Sequence, residues 1–191
     1  MILAHGAGAG MDTPFMAAIS EGLASHDLTV IRFEFPYMQR RRADGGRRPP
    51  DRMPVLMEAW REAIATVGQA ERLVIGGKSM GGRVASMIAD DAGVSGLVCL
   101  GYPFHPPGKP ERLRTEHLAR VQTPTLILQG TRDPFGKPEE VAGYDLSERI
   151  RFSWLEDGDH SFKPRVKSGR TLDRNLSEAV EVICGFIGDL G

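Results

Sequence analysis

The chain has 191 residues, 41% hydrophobic and 26% charged, the balance of one soluble globular domain, residues 1–191, with a substantial core. Its net charge of −1 gives no electrostatic ground for expecting nucleic acid or a membrane surface as partner. No stretch approaches the roughly 20 apolar residues that span a bilayer, and MILAHGAGAG lacks the basic region of a signal peptide, so a cytoplasmic location is expected. Cys99 and Cys184 sit in apolar runs without metal-ligand spacing, where cysteine fills space as a small reduced hydrophobe.

In chain order, Ile2–Ala4 is a short apolar run that ends at a glycine-rich loop, His5–Gly10. Pro14–Ala24 predicts a helix with Phe15, Ala18, Ile19 and Leu23 on one face. Thr29–Phe35 predicts a strand, rich in β-branched and aromatic residues. A loop dense in Arg, Gly and Pro is expected next, then a helix capped by Asp51 and running to about Val67. Arg72–Gly76 predicts a strand and Met80–Asp90 a helix. Gly96–Tyr102 predicts another strand, followed by a short polar helix that ends near Arg120. Pro124–Gln129 and Ile150–Leu155 predict the last two strands, and Ser177–Leu190 an amphipathic helix. Strands separated by helices imply crossovers, hence a mostly parallel sheet of about six strands with helices on both faces.

Ligands bind such a sheet beyond the carboxyl ends of its strands, so the residues there are the candidates. Gly77-Lys78-Ser79-Met80-Gly81-Gly82 follows the third strand with the G-x-S-x-G spacing. Small neighbours are what a strained strand-to-helix turn needs to expose a nucleophilic hydroxyl. A serine needs a base. Of five histidines, His160 lies in a polar turn after the sixth strand, on the same edge as Ser79. His105, after the fourth strand, is the second choice for the base and a candidate to line the pocket. Asp133, after the fifth strand, is the candidate to orient the base, ahead of Asp159, which adjoins His160. The loop His5–Gly10 could supply N–H donors to an oxyanion from Ala7 and Gly8, beside Met80. By itself GAGAG could equally hold a phosphate, although it lacks the Gly-Lys-Ser/Thr ending of such loops.

With these four elements in this order, the sequence resembles the α/β-hydrolase superfamily over essentially its whole length. More narrowly it is similar to a small bacterial branch of predicted hydrolases, related to testis-expressed hydrolase-like proteins and to a subunit of the nonspecific-lethal chromatin complex. The phrases LAHGAGAGMDTPFM, FEFPYM, GGKSMGGRVAS, GYPFHPPGKPERLRTEHL and LQGTRDPFG carry that likeness. The resemblance implies an α/β-hydrolase sheet with Ser79, Asp133 and His160 at the triad positions, and supplies no substrate. The chain departs from the usual pattern in starting inside its first visible strand and in leaving no room for a lid between the fourth and fifth strands. An open, shallow site is therefore expected. Lys78, an unusual neighbour for the nucleophile, is expected to pair structurally with a carboxylate and to play no catalytic part.

The expected activity is hydrolysis of an ester, thioester or similar acyl compound through a Ser79 acyl-enzyme, with no cofactor and no metal, on a small-molecule substrate. The alternatives are a catalytically silent interaction module and acyl transfer on the same triad. Six arginines and two aspartates between Arg40 and Arg52 make a local charge of +4. Since arginine forks bind carboxylate and phosphate, Arg41 and Arg42 are candidates for substrate binding. A solvated charge run is the alternative.

Overall fold

A computed structural model describes residues 1–68 and 70–190 of the chain. Its strands are β1 (Ile2–Ala4), β2 (Ile31–Phe33), β3 (Val74–Lys78), β4 (Gly96–Leu100), β5 (Thr125–Gly130) and β6 (Ile150–Leu155). All six pair in parallel, in the order β2-β1-β3-β4-β5-β6. The helices are α1 (Pro14–Ala24), α2 (Pro36–Asp44), α3 (Met53–Val67), α4 (Met80–Ser86), α5 (Pro138–Val141) and α6 (Leu172–Asp189).

Successive strand residues point to opposite faces, and the core divides accordingly. Ile2, Ala4, Leu97, Cys99 and Ile127 face α3 and α4, while Leu3, Val98, Leu100, Leu126 and Leu128 face α1 and α6. The central strands β3, β4 and β5 are buried throughout, which is why they are near-continuous apolar runs, and β2 and β6 form the edges. From β1 the chain moves outward to β2, then returns to the other side of β1 as β3. The carboxyl ends of β1 and β3 therefore flank the point where the strand order reverses, where parallel sheets open a crevice.

The short first run Ile2–Ala4 and the predicted α1 and β6 match the structure residue for residue, and the other elements differ in instructive ways. The Arg-rich stretch expected as a loop is helical from Pro36 to Asp44. Proline at its first turn and the left-handed Gly45 just past its end bracket nine residues, most of them good helix formers. Asp51 does not cap α3. Arg52 occupies the cap position without a side-chain bond, and Asp51 pairs with Arg40 instead. The polar helix expected to end near Arg120 is a series of turns, because the buried Leu118 and Val121 tie that segment to the core. β3 lies two residues later than predicted, and α4 ends at Ser86 rather than Asp90. α6 begins at Leu172, where the Thr171 hydroxyl accepts from the Arg174 N–H.

One buried side chain fixes the helix behind the reversal point. Trp60 on α3 packs edge-on against Phe33, ring centroids 4.7 Å apart, and its indole N–H donates to the Gly81 carbonyl of α4 over 3.3 Å. Trp60→Ala is expected to cost about 3–5 kcal/mol in urea unfolding. A loss below about 1 kcal/mol would show that α3 is not anchored there.

Candidate active site

Ser79 occupies the turn between β3 and α4 with φ 51° and ψ −113°, a backbone conformation that costs energy for a residue with a Cβ. Its N–H donates to the Leu100 carbonyl of β4 over 2.9 Å, which holds the turn against the sheet. The hydroxyl lies 2.9 Å from His160 Nε2, and His160 Nδ1 lies 2.8 Å from Asp133 Oδ2.

Asp133 is fully buried. Besides His160 its carboxylate accepts from the Gln129 side-chain amide and the Phe135 N–H, each at 2.9 Å. An acceptor saturated in this way places the proton on Nδ1 and leaves the Nε2 lone pair facing the serine hydroxyl. Phe135 also lies against the imidazole, ring centroids 4.2 Å apart. Gln129 and Phe135 were not singled out from the sequence. The Gln129 position at the end of β5, four residues before Asp133, was the available signal.

For His160 to reach Ser79, the segment after β6 crosses the ends of β5 and β4. Glycine opens both crossings. A Cβ on Gly130 would come within 2.3 Å of the Gly158 carbonyl, and one on Gly101 within 3.0 Å of the His160 carbonyl. Gly101 also has φ +68°. The crossing segment is then pinned from several sides. The buried Asn175 of α6 donates to the Phe162 carbonyl over 2.8 Å, and the Asp159 carboxylate accepts the Ser161 and Lys163 N–H groups. Asp157 pairs with Arg165 and Arg132. Hydrogen bonds from Arg165 hold its carboxyl down to about 2.

After β1, the loop His5–Gly10 forms the opposite wall. Its carbonyls are held from outside: the Tyr37 hydroxyl reaches those of Gly6 and Ala7 at 3.2 and 3.0 Å, and Arg41 donates to that of Gly8 over 3.2 Å. Burial pushes the Tyr37 hydroxyl up to about 12, so it remains a donor. His5 is buried behind the loop, with Nδ1 2.7 Å from the Gly6 carbonyl and Nε2 accepting the Phe35 N–H. Burial lowers its pKa, consistent with a neutral ring that accepts at Nε2. Among the described residues, nothing accepts the N–H of Ala7 or Gly8. Met80 begins α4, so its N–H is one of the donors that a helix start leaves free. Between the loop and Ser79 lies an open cleft of about 380 Å³, walled by Ala7, Gly8, Phe15, Met16, Lys78 and Phe135.

Two residues expected at the substrate are not among those that line the cleft. Arg42 gives Nε and Nη2 to the buried Glu34, at 3.0 and 2.6 Å, and Nη2 also to Asp12 at 3.0 Å. Its fork is spent on two carboxylates, and these hydrogen bonds lower the pKa of Glu34. His105 is buried and does not line the cleft, with Nδ1 2.9 Å from the Pro106 carbonyl and Nε2 3.7 Å from Glu140. Lys78 does not hydrogen-bond to a carboxylate as expected. Its ammonium donates to the His160 backbone carbonyl.

Among the described residues, no helix is long and apolar enough to cross a membrane, and no group of three or more His, Cys, Asp or Glu could hold a metal ion. Residues 1–188 match the model of a family described as alpha/beta hydrolase domain. Among solved structures, the fold is similar to an α/β serine hydrolase without lid from Xanthomonas campestris. That match has TM-score 0.69 and 21% identity and covers 95% of this chain and 79% of the other. A monoacylglycerol lipase from Paleococcus ferrophilus matches with TM-score 0.71 and 14% identity, over 98% of this chain and 93% of the other. The esterase domain of a Rhodothermus marinus protein matches with TM-score 0.67 and 15% identity, over 97% and 84%.

The ion pairs of Asp157 make the His160 segment sensitive to acid. The folded carboxyl titrates below its ordinary value, so its stabilisation is present above about pH 4 and is lost as the pH falls toward about 2. Asp157→Asn should lower the melting temperature at pH 7, and the gap to the unaltered protein should close on acidification. A gap that stays constant from pH 7 to about 2.5 would contradict this account.

Proposed function

The chain belongs to the alpha/beta hydrolase domain family, and from that premise we propose that it is a serine hydrolase that cleaves esters, thioesters or similar acyl compounds through an acyl-enzyme on Ser79. One observation carries the reading: the unbroken relay from the Ser79 hydroxyl to His160 Nε2, at 2.9 Å, and from His160 Nδ1 to Asp133, at 2.8 Å. His160 takes the serine proton as the hydroxyl oxygen attacks the acyl carbon, and Asp133 stabilises the imidazolium that forms. The carbonyl oxygen gains negative charge and is met by the N–H groups of Met80, Ala7 and Gly8. Collapse of this adduct returns the proton from His160 to the leaving group. Water, activated by the same histidine, then releases the acid and frees Ser79.

The braced loop supports the oxyanion assignment. With the Gly6, Ala7 and Gly8 carbonyls held by Tyr37 and Arg41, the N–H groups of the loop are set before substrate arrives, and a preset donor costs no reorganisation during reaction. The walls of the cleft favour a short apolar acyl group against Phe15, Met16 and Phe135. We assign Arg41 to the loop rather than to an anionic substrate, since one of its nitrogens is already engaged by Gly8. The sequence phrases that resemble the testis-expressed and chromatin-complex relatives support placement in that branch. The unpaired Cys99 and Cys184 support a cytoplasmic location.

The protein should hydrolyse p-nitrophenyl acetate, with a rate that rises as His160 loses its proton. Ser79→Ala and His160→Ala should each lower kcat by about a thousand-fold or more, and the double variant should lose little beyond either, because the pair acts as a unit. Unaltered protein that turns over no activated ester would instead favour an interaction module. Arg41→Ala should lower kcat about ten-fold for neutral and carboxylate-bearing esters alike, as loss of a positioned donor network does. A loss confined to the anionic ester would put Arg41 on the substrate.

A further inference from the structure

Lys78 is the last residue of β3, directly before the nucleophile, and it is almost wholly buried. Its side chain runs inward to the backbone of His160 rather than out to solvent. The ammonium donates to the His160 carbonyl and lies 5.4 Å from the centre of the Phe15 ring. Gly101 gives it room: a Cβ there would stand 3.0 Å from Lys78 Nζ and 3.2 Å from His160 Nδ1. The ammonium and the edge of the ring bonded to Asp133 therefore face one small space.

The charged and titratable groups around Lys78 come from two loops. Asp133, after β5, and Asp159 and His160, after β6, face it, while α1 contributes only the Phe15 ring. Both aspartates favour the charged ammonium, yet burial outweighs them and brings Lys78 down to about 8. A like charge beside a histidine disfavours the imidazolium.

We propose that Lys78 is a positioning residue that tethers the His160 peptide and tunes the basicity of the imidazole through its own charge. The proposal rests on the serine-hydrolase reading for its consequence in rate, and stands on the contact with His160 for its physics. While Lys78 is protonated, its charge and an imidazolium would face each other across one small space, which disfavours the imidazolium. Once Lys78 loses its proton, the amine still donates to the carbonyl, the repulsion is gone, and His160 becomes the stronger base. The rate of acylation should therefore rise in two limbs, one from His160 and a second near pH 8 from Lys78.

The test follows the His160 Cε1–H resonance through a pH titration of the full chain, beside p-nitrophenyl acetate kinetics. Lys78→Met should raise the His160 midpoint by about one pH unit, remove the second limb and lower kcat with little change in KM. Lys78→Arg, which keeps the charge, should move the midpoint back toward that of the unaltered protein. An unchanged midpoint in Lys78→Met, or the same midpoint in both variants, would overturn the proposal. If neither variant folds, the unaltered protein decides: its His160 resonance should show a second inflection near pH 8, and a single inflection would overturn the proposal. Absence of any ester turnover by the unaltered protein would defeat the serine-hydrolase reading alone, because the titration reads the coupling without catalysis.

Discussion

The segment after β6 has to cross the ends of β5 and β4 before His160 can face Ser79, and the rest of the site depends on that crossing. A parallel sheet spaces neighbouring strands roughly 4.8 Å apart, so a residue from the edge strand cannot meet one from the centre without travelling over what lies between. Gly130 and Gly101 remove the side chains that would stand in the way. Asp157 and Phe162 accept positive φ angles within the crossing segment, and Ser79 does so at its destination. Such strain persists only where surrounding contacts over-determine it. Here they are the ion pairs of Asp157, the Asn175 amide, the Lys78 tether and the N–H bond from Ser79 to Leu100.

The parts of the site that were legible in the sequence are those that follow strands. Ser79, Asp133, His160 and the loop from His5 to Gly10 each come directly after an apolar run, and parallel topology sends every such end to one edge. Placement after a strand says nothing of direction, however, and His105 shows the difference. It too follows a central strand, but its ring is buried and does not line the cleft. The bracing residues were not legible for a related reason. Gln129, Tyr37 and Asn175 act on atoms that only the folded chain brings near, and Tyr37 meets the Ala7 carbonyl across thirty residues of sequence.

Charge is where the sequence left two readings open. Counted along the chain, Arg40 to Arg52 is a basic cluster, and a basic cluster at the catalytic edge suggests an anionic substrate. In the structure Arg40 meets Asp51, Arg42 meets Glu34 and Asp12, and Arg48 meets Asp44. Asp44 and Asp51 lie inside that stretch, whereas Glu34 and Asp12 lie outside it and reach it only through the fold. Helix α2 makes this possible, because it turns Tyr37 and Arg41 toward the glycine-rich loop. Tyr37 and Arg41 thus brace the wall opposite Ser79.

The central claim is that Ser79 is a nucleophile made reactive by His160. It is tested most directly by exposing the full chain to a fluorophosphonate, weighing the intact protein and mapping the modified peptide. The account predicts a single adduct per chain, on Ser79, that forms in the unaltered protein and is abolished by His160→Ala. No adduct, an adduct on another residue, or one that forms equally fast without His160 would contradict it.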